Sequence, residues 1–336
     1  MKASLIALVL VSAPCVALAE SDQDWKLCSA DDADDLAIAA CTRLLETNEL
    51  RQDDRAVAYY NRGAARWRKR DFDTAIADEN EAIENNPKLA NAYMRRGASY
   101  AGKGDTDRAI ADASKAIEID PENVRAYSNR GLARGRKGDQ AAAIADATKA
   151  IEIAPKFPNA YLVRGDAYAR KGDYDRAIAD FTTAIEVDPK NAFGYRARGD
   201  AYARKSDYDR AIADFTTAIE VDPKNAFGYG ARGGAYARKS DYDRAIADFT
   251  TAIEVDPKNA LRYGARGDAY ARKGDFDRAI ADFTKQIEID ADDPNAYRNR
   301  GAAYASKHDN NSALADYTKA IDVTRRRIES GDRRLQ

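Results

Sequence analysis

The stretch Asn191–Lys224, NAFGYRARGDAYARKSDYDRAIADFTTAIEVDPK, decides the fold, because it returns almost letter for letter as Asn225–Lys258. A looser copy follows from Asn259. Aligning the Arg-Gly pair of every copy gives glycines spaced by 34 residues: Gly63, Gly97, Gly131, Gly165, Gly199, Gly233, Gly267 and Gly301. A fixed period of this length is typical of a repeat protein, in which each unit buries its apolar side chains against its neighbours.

Apolar residues recur at helical spacing in both halves of this repeat. Tyr195, Gly199 and Tyr202 lie at i, i+4 and i+7 on a first helix. A second helix is indicated by Ala211, Ile212, Phe215, Ala218 and Ile219. The segment Arg204–Asp207 separates the two helices, and its aspartate is placed to cap the second. Asp222-Pro223 ends that helix, because proline disfavours helical geometry at the residue before it. The repeat is therefore predicted to be helix-turn-helix.

The glycine of the Arg-Gly pair indicates close packing between the two helices. Glycine in a helix interior costs about 1 kcal/mol relative to alanine, so packing must compensate. We expect Gly199 to lie opposite Ala211 or Phe215, where a Cβ atom would hold the helices apart.

The residues Tyr195, Gly199, Tyr202, Ala211, Phe215, Ala218 and Pro223 resemble the signature of the tetratricopeptide repeat (TPR) family. This resemblance extends over residues 56–327. It implies an all-α fold, an α-solenoid of eight 34-residue helix-turn-helix repeats that form a right-handed superhelix. It also implies that the first helices line a concave groove, and that the protein binds other proteins or peptides.

Eight tandem repeats are predicted, at residues 56–89, 90–123, 124–157, 158–191, 192–225, 226–259, 260–293 and 294–327. The first three depart most from the pattern, with Glu79, Ala113 and Ala147 at the place of Phe215, and we expect looser packing there. Repeats four to seven are nearly uniform, which is explained either by recent duplication or by one surface used several times.

The eighth repeat has Arg325 in place of the terminating proline. Its last helix is therefore predicted to continue through Ile328 into a basic tail, residues 328–336. No separate capping helix is predicted after it, which favours self-association through the C-terminal repeat.

One departure from the family pattern recurs in every repeat. The residue before the glycine is arginine, from Arg62 to Arg300, where the family usually has leucine. An aspartate also recurs in every second helix, from Asp78 to Asp316. Because antiparallel helices bring these places level, we hypothesise an ion pair of the Arg198–Asp214 type in each repeat, formed within one repeat or across to the next.

Residues 1–19 are predicted to be a cleavable signal peptide. Lys2 precedes the apolar run Leu5–Val16, and Ala17-Leu18-Ala19 fits cleavage after Ala19. The protein is therefore predicted to be periplasmic or secreted. A lipoprotein anchor at Cys15 is the alternative, although Pro14 directly before it fits that motif poorly.

Residues 20–55 are predicted to form an N-terminal arm and a half-repeat capping helix. The run from Ala37 to Glu46 matches the second helix of the repeats, with Cys41 at the place of Phe215. After cleavage, Cys28 and Cys41 are the only cysteines, and an even number in an oxidising compartment suggests a disulfide. Two independent buried thiols are the alternative.

The charge balance argues against nucleic-acid binding. The chain has 54 basic and 56 acidic residues, whereas a nucleic-acid-binding protein would show a clear basic excess. Repeated pairs such as Arg170-Lys171 are interpreted as helix-end charges rather than as a basic stripe. No segment after the signal is apolar enough to span a membrane.

No catalytic, metal or cofactor site is predicted. His308 is the only histidine and falls in a predicted turn. The recurrent aspartates pair numerically with arginines, which argues against a carboxylate cluster. The segment Gly97–Lys103 imitates a phosphate-binding loop, but Gly104 replaces the required Ser or Thr, and no strand precedes it.

The family resemblance predicts which residues face the groove. The candidates in repeats five to seven are Phe193, Arg196, Asp200, Arg204, Phe227, Arg238, Leu261, Asp268 and Arg272; a second, more aromatic patch comprises Tyr60, Trp67 and Met94. Apolar residues beside charges suit a peptide with spaced apolar anchors. The alternative for Phe193 and Phe227 is packing between repeats. The family's clamp for acidic chain ends needs Lys and Asn at particular places in the groove. In this chain the Lys places hold Arg or Gly and the Asn places hold Asp or Gly, which argues against that ligand.

We therefore predict a non-enzymatic protein-protein interaction scaffold that binds a peptide or a partner protein in the groove. The alternative is an accessory or substrate-recruiting subunit of a cell-envelope enzyme or assembly machine.

Overall fold

The computed structural model describes residues 13–47 and 49–330, with side chains from Ser21 onward. These residues form eighteen α-helices and no strand. They fall into two compact units, divided between Ala167 and Tyr168.

Unit 1 contains α1 (Ala13–Cys28), α2 (Asp34–Glu46), α3 (Gln52–Arg68), α4 (Phe72–Asn85), α5 (Ala90–Gly102), α6 (Thr106–Ile119), α7 (Val124–Lys137) and α8 (Gln140–Ile153). The division falls within α9 (Pro158–Arg170). Unit 2 contains α10 (Tyr174–Val187), α11 (Ala192–Arg204), α12 (Tyr208–Val221), α13 (Ala226–Arg238), α14 (Tyr242–Val255), α15 (Ala260–Arg272), α16 (Phe276–Ile289), α17 (Pro294–Ser306) and α18 (Asn310–Glu329).

Within each unit, a first helix packs against the second helix that follows it, as the helix-turn-helix pattern predicts. These hairpins are α3–α4, α5–α6 and α7–α8 in unit 1, and α11–α12, α13–α14, α15–α16 and α17–α18 in unit 2. Neighbouring hairpins of a unit also pack on one another. The first hairpin begins at Gln52 rather than at Ala56, and α18 continues past Ile328 to Glu329, as its sequence predicts.

The turn inside each hairpin contains one residue with a positive φ. Glycine fills that place at Gly104, Gly138, Gly172 and Gly274, whereas Arg70, Ser206, Ser240 and His308 adopt φ values from 61° to 63° there. The aspartate that follows caps the second helix, as when the Arg210 N–H donates to Asp207 at 3.2 Å. The turn between the two helices and the aspartate cap, both predicted from the sequence, are thus confirmed.

The glycine of the Arg-Gly pair lies where the two helices of a hairpin meet. A Cβ atom on Gly199 would lie 2.7 Å from Cε1 of Phe215, closer than real Cβ contacts allow. The expectation for Gly199 is confirmed, with Phe215 rather than Ala211 as its nearest neighbour. In repeat two, which lacks the phenylalanine, a Cβ on Gly97 would lie 3.1 Å from the Ala109 carbonyl oxygen.

The hypothesised ion pair forms within one repeat. Arg198 donates from Nε to Oδ2 of Asp214 and from Nη2 to Oδ1, both at 2.8 Å. Its Nη1 donates to the Thr182 hydroxyl of the preceding repeat at 3.1 Å. The same pair joins Arg62–Asp78, Arg96–Asp112, Arg130–Asp146, Arg232–Asp248, Arg266–Asp282 and Arg300–Asp316. Each of these arginines therefore connects its own second helix with the second helix before it.

A second, more exposed set of ion pairs also crosses from repeat to repeat. A turn lysine pairs with the aspartate at the start of the preceding second helix, as in Lys205–Asp175, Lys239–Asp209 and Lys273–Asp243. Exposed pairs of this kind stabilise a fold by roughly 0–1 kcal/mol each.

The half-repeat helix predicted within residues 20–55 is α2, and it packs against α1 and α3. Cys41 and Leu44 of α2 are buried together with Cys28 of α1, and Trp25 covers them. The Cα atoms of Cys28 and Cys41 lie 4.8 Å apart, so the structure brings the two predicted partners together.

The two ends of the chain carry predictions that fall partly outside the described residues. Residues 1–12 of the predicted signal peptide are among those not described, and so are Arg333 and Arg334 of the predicted tail. Among the residues that the structure describes, no helix has both the length and the apolarity that a membrane span requires.

Candidate protein-interaction surface

The first helices of unit 2 lie side by side, because α11, α13, α15 and α17 each contact the next one in the series. Their predicted groove residues are called here the groove surface: Phe193, Arg196, Asp200, Arg204, Phe227, Arg238, Leu261, Asp268 and Arg272. All of them are partly or fully exposed. The surface therefore presents these side chains to solvent, and none of them is part of the core.

Three residues of the groove surface form a stack across two repeats. The guanidinium carbon of Arg196 lies 4.6 Å from the ring centroid of Phe193 and 4.4 Å from that of Phe227. Both rings stay half-exposed, at 46% and 42%. Cation–π contacts at exposed sites stabilise by about 0.5–1 kcal/mol each, so Arg196 orders two aromatic rings that still face solvent. We call this set the Phe-Arg-Phe stack.

A cavity of about 390 Å³ opens beside the stack, where repeats five and six meet. Its lining comprises Ala192, Phe193, Arg196, Ala218, Asp222, Asn225, Phe227 and Gly228. The rings therefore lie at a junction between repeats, as the alternative interpretation holds, while much of their surface remains accessible. Further along the groove surface, Leu261 is 71% exposed.

Gly230 makes room for an arginine from the next repeat. A Cβ atom on Gly230 would overlap the guanidinium of Arg262, so this group occupies the space that a side chain would need. Arg262 also lies over the Phe227 ring, 5.5 Å from its centroid. Burial lowers the pKa of Arg262, opposed by the charge of Asp256.

Arginine outnumbers aspartate on the groove surface. Its charged residues are Arg196, Arg204, Arg238 and Arg272 against Asp200 and Asp268, whereas the whole chain has a net charge of −2. Burial raises the pKa of Asp200, with Arg196 and Arg204 opposing the shift. Desolvation by neighbouring side chains also raises the pKa of Asp268, opposed by the charges of Arg272 and Arg298. The groove surface therefore carries a local excess of positive charge.

The second predicted patch, in unit 1, is centred on a residue that sequence reasoning missed. The guanidinium carbon of Arg95 lies 5.6 Å from the ring centroids of both Tyr60 and Trp67. Met94, predicted as part of this patch, is instead only 5% exposed and packs with Ala116 and Ala126 in the core. Adjacent residues of a helix face different directions. Arg95 faces Tyr60 and Trp67, so its neighbour Met94 on α5 faces the core.

Glu79 is a buried carboxyl at the place where other repeats have phenylalanine. It is fully buried, and its Oε1 accepts a hydrogen bond from the Ser99 hydroxyl at 3.2 Å. Burial raises the pKa of Glu79 to about 8, against the lowering effects of Ser99, Arg95 and Arg96. The sequence indicates this buried carboxyl, because a glutamate at a core place of the repeat is exceptional.

Among the described residues, no group of three or more His, Cys, Asp or Glu side chains could hold a metal ion. His308 lies in the turn between α17 and α18, at the positive-φ place.

The fold and the surface together define a class, the helical repeat proteins built from helix-turn-helix hairpins. Tetratricopeptide repeat models match residues 162–226, 90–123 and 124–157, and a TPR repeat model matches residues 233–274 and 267–308. Together these matches span more than half of the chain. The chain belongs to the tetratricopeptide repeat family.

Solved structures of similar fold agree with this assignment. The crystal structure of the APC/C hetero-tetramer Cut9-Hcn1 covers 96% of this chain and 69% of its own, with 18% identity and a TM-score of 0.61. A tetratricopeptide repeat protein from Parabacteroides merdae covers 70% of this chain and 93% of its own, with 23% identity and a TM-score of 0.54. At these identities the likeness shows the fold alone.

A third structure, of MamA, has 27% identity and a TM-score of 0.47, and covers 49% of this chain and 96% of its own. No curated protein matches the sequence.

Proposed function

We propose that this protein is a non-enzymatic scaffold that binds a peptide segment of a partner protein on the groove surface of unit 2. Membership of the tetratricopeptide repeat family supports a role in protein interaction. The observation that carries the proposal is the Phe-Arg-Phe stack, in which Arg196 holds Phe193 and Phe227 in place while both rings stay half-exposed.

The proposed ligand is an extended segment with an apolar side chain and acidic neighbours. The apolar side chain would enter the cavity beside the Phe-Arg-Phe stack, which is large enough for one aromatic or aliphatic group. Acidic residues on either side would meet the arginines of the groove surface. Aromatic residues and arginines are the commonest energetic centres of protein interfaces.

The test is capture of partners by the purified chain, followed by affinity measurements with peptides from each partner identified. The double variant Phe193→Ala, Phe227→Ala removes both rings and should weaken binding by at least about tenfold, as expected for central aromatic residues. The double variant Val187→Ala, Val221→Ala is the matched control, since these valines of second helices are similarly exposed. Equal affinities for both double variants would refute the proposal.

We further propose that the protein works outside the cytoplasm, with the signal peptide removed after Ala19 and a disulfide between Cys28 and Cys41. The hydrophobic N-terminal segment supports export. The burial of the two cysteines against each other, with Cα atoms 4.8 Å apart, supports the bond.

A further inference from the structure

Helix α18 carries an exposed apolar stripe. Leu314, Ile321 and Ile328 are 68%, 61% and 66% exposed, and Tyr317 is 37% exposed. These residues and Thr324 follow a 3-4-3-4 spacing, which aligns them along one side of the helix as in the seam of a two-helix coiled coil. We call them the α18 stripe.

The places equivalent to Tyr317 and Ile321 are buried against a neighbouring helix in α12 and α14. At the place of Tyr317, Phe215, Phe249 and Phe283 are 1–3% exposed. Each packs with an alanine of the following first helix, namely Ala235, Ala269 and Ala303. At the place of Ile321, Ile219 and Ile253 are 8% exposed. The centre of the α18 stripe, Tyr317 and Ile321, therefore belongs to a face that this protein elsewhere covers with a helix.

We propose that the α18 stripe binds the same stripe of a second copy, with the two α18 helices antiparallel. A two-fold axis at Ile321 sets Leu314 of one copy opposite Ile328 of the other. Such a contact is self-complementary, as two-fold interfaces require. This inference goes beyond the groove surface and does not depend on it.

The remaining residues of the α18 stripe also meet in the antiparallel arrangement. Tyr317 and Thr324 lie on the same side of the line through Leu314, Ile321 and Ile328. With the axis at Ile321, Tyr317 of one copy therefore lies opposite Thr324 of the other, and the symmetry forms this contact twice.

The basic cluster at residues 325–327 also favours the antiparallel arrangement. A parallel pair would set the three arginines of one copy beside the same three of the other, and like charges this close repel. In the antiparallel pair the two Arg326 residues lie on opposite sides of the two-fold axis. At the helical rise they are roughly 15 Å apart along the direction of the helices. That separation exceeds the screening length of about 8 Å at physiological salt, so the repulsion between the clusters is weak.

The first test is the oligomeric state of the purified chain, measured by sedimentation across a concentration series. A single helix pair is a small interface, so we expect a weak dimer whose fraction rises with concentration. Ile321→Asp should leave only monomer, because it sets two carboxylates together on the axis. Lys319→Asp is the matched control, with the same side chain on another face of α18, and should keep the dimer.

A chain that stays monomeric at every concentration would overturn the proposal. Dimerisation of Ile321→Asp equal to that of the natural chain would overturn it too. Both substituted residues are exposed, so circular dichroism should show unchanged helicity.

The second test fixes the orientation by cysteine cross-linking in a chain carrying Cys15→Ser. Mixing a Leu314→Cys chain with an Ile328→Cys chain should give a cross-linked heterodimer and little cross-linked homodimer. Homodimers of Leu314→Cys would indicate parallel pairing. Failure of the two chains to cross-link, while dimers persist, would indicate a head-to-tail contact; either result refutes the antiparallel pair.

Discussion

Some repeats differ from the others at a single residue that departs from the repeat pattern. Glu79 occupies the place of Phe215 and is fully buried. Serine rather than glycine fills the positive-φ place at Ser206 and Ser240. Each exception changes the energetics of one repeat and leaves the helical framework in place, so each can be tested by one substitution.

The first prediction concerns the pH dependence introduced by Glu79. Its pKa is about 8 in the folded protein against an ordinary value of 4.5. Between these values the unfolded chain loses the proton while the folded protein keeps it, so the free energy of unfolding falls as the pH rises. Below pH 4.5 both states are protonated and this effect vanishes. Glu79→Gln should therefore raise the melting temperature more at about pH 8 than at about pH 5.

The control for this prediction is Glu81→Gln, which changes an exposed glutamate on the same helix. It should shift the melting temperature little and equally at both pH values. The same increment at both pH values for Glu79→Gln would show that Glu79 ionises normally in the folded protein.

The second prediction concerns the turn at Ser206, whose φ is 62°. A side chain in the left-handed region destabilises the folded protein by roughly 1–2 kcal/mol. Glycine removes this strain, but it also makes the unfolded chain more flexible, which offsets part of the gain. Ser206→Gly should therefore stabilise the protein by about 0.5–1 kcal/mol in chemical denaturation. Ser206→Ala keeps the Cβ atom and should not stabilise it; equal effects of the two changes would argue against backbone strain.

At the level of helices, the arginine before each glycine organises the packing. Arg232 of α13 binds Asp248 of its own second helix and Thr216 of the preceding one. One side chain therefore fixes two neighbouring second helices relative to the first helix between them. This gives a physical reason for arginine at a place where the family usually has leucine.

The third prediction tests this arrangement. Arg232→Met leaves Asp248 buried without its guanidinium, which should lower the free energy of unfolding by about 3–5 kcal/mol. The double variant Arg232→Met, Asp248→Leu should recover part of that loss, because no unpaired charge remains. Lys239→Met removes only the exposed pair with Asp209 and should cost at most about 1 kcal/mol. A double variant no more stable than Arg232→Met alone would contradict the prediction.

Helix boundaries and repeat contacts are readable from the sequence because they depend on spacing. Gly199 and Phe215 meet because both recur at a fixed period, and the Arg198–Asp214 pair follows from the antiparallel direction of two helices. The Phe-Arg-Phe stack could not be foreseen, because it depends on the rotamer of Arg196. The prediction for Met94 was wrong for a related reason: its neighbour Arg95, one residue further along α5, is the one that lies over Tyr60 and Trp67.

At the scale of the whole molecule, the fourth prediction concerns export and oxidation. Expressed with its N-terminal segment in a bacterial host, the chain should be recovered outside the cytoplasm with Glu20 as its first residue. Its intact mass should also show the loss of two hydrogens, from Cys28 and Cys41. Recovery of the uncleaved chain from the cytoplasm, or titration of two free thiols in the exported chain, would contradict the prediction.

The contacts between repeats carry a consequence for the length of the gene. If residues 192–225 were deleted, Arg232 would meet Thr182 in place of Thr216, and Lys239 would meet Asp175 in place of Asp209. Both contacts would keep the same chemistry, because residues 174–187 and 208–221 are identical in sequence, whereas Asn159 and Leu162 would take the places of Phe193 and Arg196. A replication slip of 34 codons at this point would thus give a shorter chain that retains these contacts between repeats but lacks the stack, so recombination would remove the proposed binding site without removing the contacts that hold neighbouring repeats together.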